Sequence, residues 1–172
     1  MVGLQRADLS FRSVNLPGMA GYAPGLQRHH ILPCQLLSNR AVAGMLCSLG
    51  SARIGFHDFR RNGLLLPSTE AGAARIGLPM HRGPHRHYNE MVLERVGQIS
   101  SVWDKARHTM ADRADHDALA RMDRLQRALR LRLLDPRRWH GNLLSRHDPA
   151  LDFSHLDRMA DMLWTETELP SC

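Results

Sequence analysis

The chain has 172 residues, of which 43% are hydrophobic and 23% charged, a composition typical of one soluble globular domain. It contains no run of 18 apolar residues, so we exclude a membrane span. Residues 1–25 lack the pattern of a secretory signal, so we expect a cytoplasmic protein, with signal-peptide-independent export as an open alternative. Lysine and arginine outnumber acidic residues by 23 to 17, and all but Lys105 are arginines, which favours a nucleic-acid-binding surface.

Short elements are predicted in the first half of the chain. Residues 1–25 have four glycines, two prolines and no sustained period, and so predict an irregular N-terminal arm. The sequence HHIL (29–32) predicts a short strand, and residues 33–50 have the apolar spacing of a helix. The segment 56–63 predicts a polar turn because Asn62-Gly63 is a strong turn signal, and it precedes a second strand, LLLP. Residues 68–85 predict a loop of small residues.

Longer helices are predicted in the second half. Pro84 suits a first helical position and precedes an apolar stripe with helical spacing. The stripe consists of Tyr88, Val92, Val96, Ile99 and Trp103. A second helix starts near Asp115, and a last one near Ser154, where Ser154 and Asp157 form a capping-box pattern. The apolar face of the second helix is Ala118, Met122, Leu125, Leu129 and Leu133, and beside it lie Arg121, Arg124, Arg127 and Arg130, which form either a solvated face or a phosphate-binding stripe.

Histidines are concentrated around the two predicted strands. Six of the eleven, at positions 29, 30, 57, 81, 85 and 87, precede or begin the first long helix. Imidazole binds divalent metals and transfers protons near neutral pH. Because neighbouring residues of a strand point to opposite faces, His29 and His30 are expected to perform different tasks. The three cysteines form no Cys-x-x-Cys pair, so a zinc site built from cysteines is not expected.

Three segments, RHHILP, NGLLLP and MHRGPHRHYN, resemble the His-Asn-His nuclease superfamily, and within it the branch named after its Ala-His-His motif. Arg28 stands at the alanine position. The resemblance covers about residues 26–105 and implies an α+β fold, mostly helical, with a ββα-metal core of two short antiparallel strands packed on a helix. We expect a single domain with an arm (1–25), a nuclease core (26–105) and a helical extension (106–172) packed on that core.

The resemblance also implies a metal-dependent endonuclease. By this resemblance, His29 binds a single divalent ion (Mg²⁺, Mn²⁺, Zn²⁺ or Ni²⁺), His30 is the general base, and Asn62 orients the His30 ring or its loop. Cleavage would leave 5′-phosphate and 3′-hydroxyl ends. DNA is the expected substrate, with little sequence preference because no base-reading module is identified, and RNA is the alternative.

The remaining metal ligands are expected near the start of the first long helix. His81 and His85 have the spacing that two ligands use in related colicin-type DNases, but Gly83-Pro84 interrupts a regular helix between them. We therefore rank His85 first, His81 second and Asn89 as an alternative third ligand. His57 and His87 are expected to face solvent or phosphate. Three arginines flank the cluster as candidate phosphate ligands: Arg28, Arg82 and Arg86.

Other roles stay open at this point. Relatives of this branch are often bacterial toxin domains, and a toxin would imply an immunity protein as partner. A free-standing effector, a phage or mobile-element nuclease and a housekeeping enzyme are the other settings. Two alternatives come from other classes of protein. One is a non-catalytic nucleic-acid-binding module that metal stabilises, and the other is a helical interaction protein that uses residues 84–166.

Overall fold

A two-stranded antiparallel sheet precedes the long helices in the computed structural model, which describes residues 7–81 and 86–135. Strand β1 is Leu26–His30 and strand β2 is Gly63–Pro67, paired so that His30 lies opposite Gly63. The first strand ends earlier than predicted because Leu32 donates its backbone N–H to the side chain of Asn62 and not to a strand partner. The two predicted strands are confirmed.

Four short helices connect the strands, where the sequence predicted one helix and a turn. They are α1 (Gln35–Ser38), α2 (Arg40–Leu49), α3 (Ser51–Ile54) and α4 (Phe59–Asn62). The predicted helix 33–50 is interrupted at Asn39, whose extended backbone and side-chain oxygen cap α2. The turn predicted at 56–63 is present only at residues 56–57, since Asp58 caps a helical turn that ends at Asn62.

Residues Glu70–Ile76 form helix α5, so the loop predicted for this segment is also wrong there. Thr69 accepts a hydrogen bond from Gly72 N at the start of α5, and Gly77 ends the helix in the left-handed region with φ +72°. These two caps define a helix in a segment that has little apolar periodicity.

Helices α6 (Arg86–Arg107) and α7 (Ala111–Leu134) pack against each other, and both pack against α2. The predicted stripes provide their buried faces. Buried positions include Val92, Val96, Ile99 and Trp103 on α6, and Ala118, Met122, Leu129 and Leu133 on α7. Tyr88 and Leu125 are half-buried. One hydrophobic cluster extends from Ile31 to Leu133, and the mostly helical α+β fold is confirmed.

The arginines of α7 divide between solvent and packing. Arg121, Arg124 and Arg127 are exposed, and Arg127 forms an ion pair with Asp123. Arg130 is half-buried and donates from Nη2 to the carbonyl oxygen of Arg60, at 2.8 Å. This bond joins α7 to α4.

Several predictions fall outside residues 7–81 and 86–135, among them the helix from Ser154, and the proposed boundaries between arm, core and extension stay predictions. Within the described part of the chain, none of the helices has the length and apolar character needed to cross a membrane.

Candidate functional site

One face of β1 turns His29 toward His81 and helix α6. His29 is 5% exposed, and its ring centroid lies 5.2 Å from that of His81 and 5.2 Å from that of Tyr88. Gln27, two residues earlier on the same face, accepts a 2.9 Å hydrogen bond from His81 Nδ1, because Oε1 has no proton to donate. The backbone N–H of His81 donates to Pro67 O at the end of β2, which fixes the segment before α6.

The other face of β1 turns His30 toward the N-terminal arm. The His30 ring is stacked on Phe11, with centroids 3.7 Å apart and planes inclined by 8°. Arg28, on the same face, donates from Nη1 to the Phe11 carbonyl at 2.9 Å. The alternation of the strand therefore places the two adjacent histidines in different environments, as predicted.

The environment of His30 favours a neutral imidazole. Burial, together with the nearby positive groups of His57 and Arg28, lowers the pKa of His30 from 6.5 to about 4. At neutral pH the ring is thus in the state that accepts a proton. A bound phosphodiester carries negative charge and would raise this pKa toward the operating pH, which increases the basicity of the ring.

Asn62 is fully buried and connects three backbone positions. Its Oδ1 accepts from Leu32 N at 2.7 Å and from Gln126 Nε2 at 3.4 Å, and its Nδ2 donates to Leu32 O at 3.1 Å and to Phe56 O at 3.0 Å. Its backbone oxygen also accepts from Ile31 N at 2.8 Å. The sequence left open whether Asn62 contacts the His30 ring or its loop. The bonds with Ile31 and Leu32 are made with the chain that follows His30.

Tyr88 holds the same segment from α6. Its hydroxyl donates to Ile31 O at 2.6 Å, and its ring contacts His29 edge to face. Burial raises the pKa of Tyr88 well above its usual value, so the hydroxyl keeps its proton and remains a donor. The chain immediately after the histidine pair is thus held both by Asn62 and by Tyr88.

His29 and His81 have the donor type of divalent-metal ligands, and the distance between their rings is one that two ligands of a single ion can have. Two imidazoles on one tetrahedral ion have ring centroids about 5 Å apart, because each centroid lies about 3.2 Å from a metal bound at about 2.1 Å. The observed separation is 5.2 Å. Because His81 Nδ1 donates to Gln27, the lone pair lies on Nε2, and metal-binding histidines commonly donate their other ring N–H in the same way.

Of the other two predicted metal ligands, the structure describes only Asn89. His85 and Arg82 lie outside the described residues, as does the side chain of His87. Asn89 is half-buried on α6 and donates its amide to Gln35 Oε1 at 3.1 Å. Over residues 7–81 and 86–135, no group of three or more histidine, cysteine or acidic side chains is placed to hold a metal.

The predicted phosphate ligands that the structure describes are on the surface. Arg28 and Arg86 are both exposed, as is His57. One N–H of Arg28 is bonded to the arm, and its guanidinium has five donors, so the same side chain can contact a phosphate. Arg28 lies on the same face of β1 as His30, so the surface next to His30 carries its positive charge.

Three contacts at the site were not predicted from the sequence. Phe11 stacks on His30, Gln27 bonds to His81, and the Tyr88 hydroxyl bonds to the backbone of Ile31. Gln27 could have been found, because it lies two residues before His29 and so shares its face of β1. Tyr88 was expected only as part of the apolar stripe. No signal in the sequence relates Phe11 to His30, since their contact depends on how the arm packs.

Comparison with known families gave one match. A family model described as AHH, a nuclease family of the HNH/ENDO VII superfamily with conserved AHH, matches residues 10–129, which is more than half of the chain. The matched range includes both strands, helix α6, most of helix α7, Phe11 and the histidine pair. No curated protein and no solved structure gave a match.

Proposed function

Because this chain belongs to the AHH nuclease family of the HNH/ENDO VII superfamily, we propose that it is a metal-dependent endonuclease that hydrolyses phosphodiester bonds of DNA with little sequence specificity. The observation that carries the proposal is the separation of the histidine pair by β1. His29 lies beside a second imidazole, and His30 is held neutral on a cationic surface. These are the environments that a metal ligand and a general base need.

In this proposal His29 and His81 hold the metal, with His85 as the expected third ligand. When bound, the ion supplies positive charge that stabilises the charge developing on the phosphate and on the leaving oxygen. His30 accepts a proton from water, and that water attacks phosphorus as the bond to the 3′ oxygen breaks. Arg28 and Arg86 are exposed and bind the flanking phosphates, together with Arg82.

Asn62 and Tyr88 act on the site through the backbone. Their bonds to Leu32 and Ile31 fix the direction in which the chain leaves β1, and hence the positions of both histidines. This arrangement resembles the support that buried hydrogen bonds give to metal ligands in other proteins. We assign them as positioning residues.

The biological setting is a further part of the proposal. We propose a bacterial toxin or effector nuclease, with an immunity protein as its partner, because the net charge of +6 offers an electrostatic target both for DNA and for an acidic inhibitor. A cytoplasmic site of action, reached after signal-peptide-independent export in the case of a toxin, agrees with this role. Binding of an acidic protein that blocks cleavage would test it.

Cleavage of supercoiled plasmid by the full chain tests the activity. We expect nicking and linearisation with at least one of Mg²⁺, Mn²⁺, Ni²⁺ or Zn²⁺, and loss of cleavage when EDTA is added. His29→Ala should abolish cleavage and lower metal affinity. His116→Ala, which removes an exposed histidine on α7, is the matched control and should cleave normally. No cleavage with any metal would refute the proposal, and faster cleavage of RNA than of DNA would refute its choice of substrate.

A further inference from the structure

Residues 7–14, the first described part of the N-terminal arm, are bonded to Asp58 and Phe59. Leu9 donates its N–H to the carboxylate of Asp58 at 3.1 Å, and its carbonyl accepts from Phe59 N at 2.7 Å. Asp58 is buried and also caps α4, so the arm is attached to a side chain that the fold already fixes. The arm thus has a defined position beside the site.

Phe11 is the arm residue that reaches the proposed base. Its ring lies parallel to the His30 ring at 3.7 Å and meets the Phe59 ring edge to face at 5.1 Å. Its carbonyl accepts a hydrogen bond from Arg28. Contacts on the ring and on the backbone therefore both hold Phe11 against His30.

Gly63 makes room for this aromatic group. A Cβ added at Gly63 would lie 2.2 Å from the nearest atom of the Phe59 ring, far inside van der Waals contact. Gly63 is also the residue that pairs with His30 across the sheet. Two aromatic rings, those of Phe59 and Phe11, thus lie between the backbone of Gly63 and the imidazole of His30.

We propose that Phe11 is a positioning residue for His30, so that the N-terminal arm forms part of the active site. This inference rests on the proposed nuclease function and deepens it. A general base must come within about 3 Å of the water it deprotonates, and a displacement of about 1 Å can lower the rate by about 100-fold. A flat face at van der Waals distance fixes the plane of the imidazole and leaves its ring edge, which bears both nitrogens, outside the stacked contact.

The test compares Phe11→Leu with Phe11→Tyr in the full chain. Leucine keeps apolar bulk but has no ring face, whereas tyrosine keeps the face. Met19→Ala is the matched control because Met19 belongs to the same N-terminal segment and is 62% exposed. The measurements are single-turnover plasmid cleavage at saturating DNA, DNA affinity in EDTA, metal affinity, and the NMR shifts of the His30 ring protons, which a parallel aromatic ring moves upfield.

We expect Phe11→Leu to cleave about 10- to 100-fold more slowly, with DNA and metal affinities unchanged and the His30 ring protons moved downfield. Phe11→Tyr should restore both the rate and the shifts. If the leucine variant does not fold, Phe11→Met provides the same comparison with a flexible side chain of similar volume. Equal rates for the wild type and the leucine variant would overturn the inference, as would equal losses in the leucine and tyrosine variants. A wild type that cleaves nothing would instead refute the proposed function.

Discussion

Replacement of Asn62 by alanine should destabilise the whole domain. The side chain is 0% exposed and bonds to three backbone groups, namely the N–H and carbonyl of Leu32 and the carbonyl of Phe56. Alanine would remove the side-chain partner of each of these groups. A buried polar group that loses its partner costs about 1–3 kcal/mol, so we expect a loss of at least about 3 kcal/mol in the free energy of unfolding. Domains of this size have about 5–15 kcal/mol in total.

Urea unfolding followed by circular dichroism measures this loss, with the metal-free protein at pH 7.5. Asn39→Ala is the matched control, since Asn39 caps the exposed start of α2 through one bond to Ala41 N. That variant should lose about 1 kcal/mol. Asn62→Asp should be nearly as unstable as the alanine variant, because a carboxylate would present an acceptor to two carbonyl oxygens that now receive a donor.

The result separates two roles for Asn62. A loss no larger than that of Asn39→Ala would refute the structural role derived from its buried bonds. A stable Asn62→Ala variant with greatly reduced cleavage would indicate instead that Asn62 acts mainly on the proposed base. We expect the loss of stability to be the main effect of Asn62→Ala. The fraction of the variant that stays folded should also cleave more slowly, because the chain after β1 is no longer fixed.

Three further predictions concern the same region. Gly63→Ala should lose about 1–3 kcal/mol of stability in urea unfolding and cleave more slowly, because the new methyl group overlaps the Phe59 ring. Gly44→Ala is the control and should lose no stability, because there is open space around Gly44. Equal effects of the two substitutions would contradict the prediction. Tyr88→Phe should lose about 1 kcal/mol or more by the same assay, with slower cleavage at unchanged DNA affinity, and an unaltered rate would exclude its positioning role. In the metal-free protein, the stability that a neutral His30 provides should be present above pH 6.5 and should fall by at most about 3 kcal/mol as the pH falls to 4, because the unfolded chain binds the proton more tightly. The His30→Gln variant should lack this pH-dependent loss. An equal pH dependence of the two proteins in urea unfolding would refute the prediction.

Periodic patterns predicted the parts of the fold that depend on them. The apolar stripes of α6 and α7 are long, and burial of one face follows directly from spacing near 3.6 residues. The period of two in β1 likewise predicts that His29 and His30 lie on opposite faces of the strand. These predictions required no knowledge of tertiary structure.

The errors fall where a tertiary contact overrides a local signal. Asn62-Gly63 is a turn signal, but Asn62 ends a capped helical turn and Gly63 has φ −113°. Glycine is needed at position 63 because the Phe59 ring occupies the space that a Cβ would take. Helix α5 is only seven residues long and most of its apolar residues are alanines, so its two caps define it and its spacing does not. The contact between Phe11 and His30 joins a short 3₁₀ helix (Phe11–Ser13), which lies in the arm predicted to be irregular, to a strand, and no short-range rule predicts it.

The rate of cleavage by His30→Ala, measured together with its DNA affinity and metal content, tests the central claim most directly. If His30 is the general base, the variant should cleave supercoiled plasmid at least about 100-fold more slowly than the wild type in single turnover. Its DNA affinity and bound metal should equal those of the wild type, because His29 and the arginines are intact. Cleavage at the wild-type rate, or loss of cleavage only in proportion to lost metal, would contradict the division of roles between the two histidines.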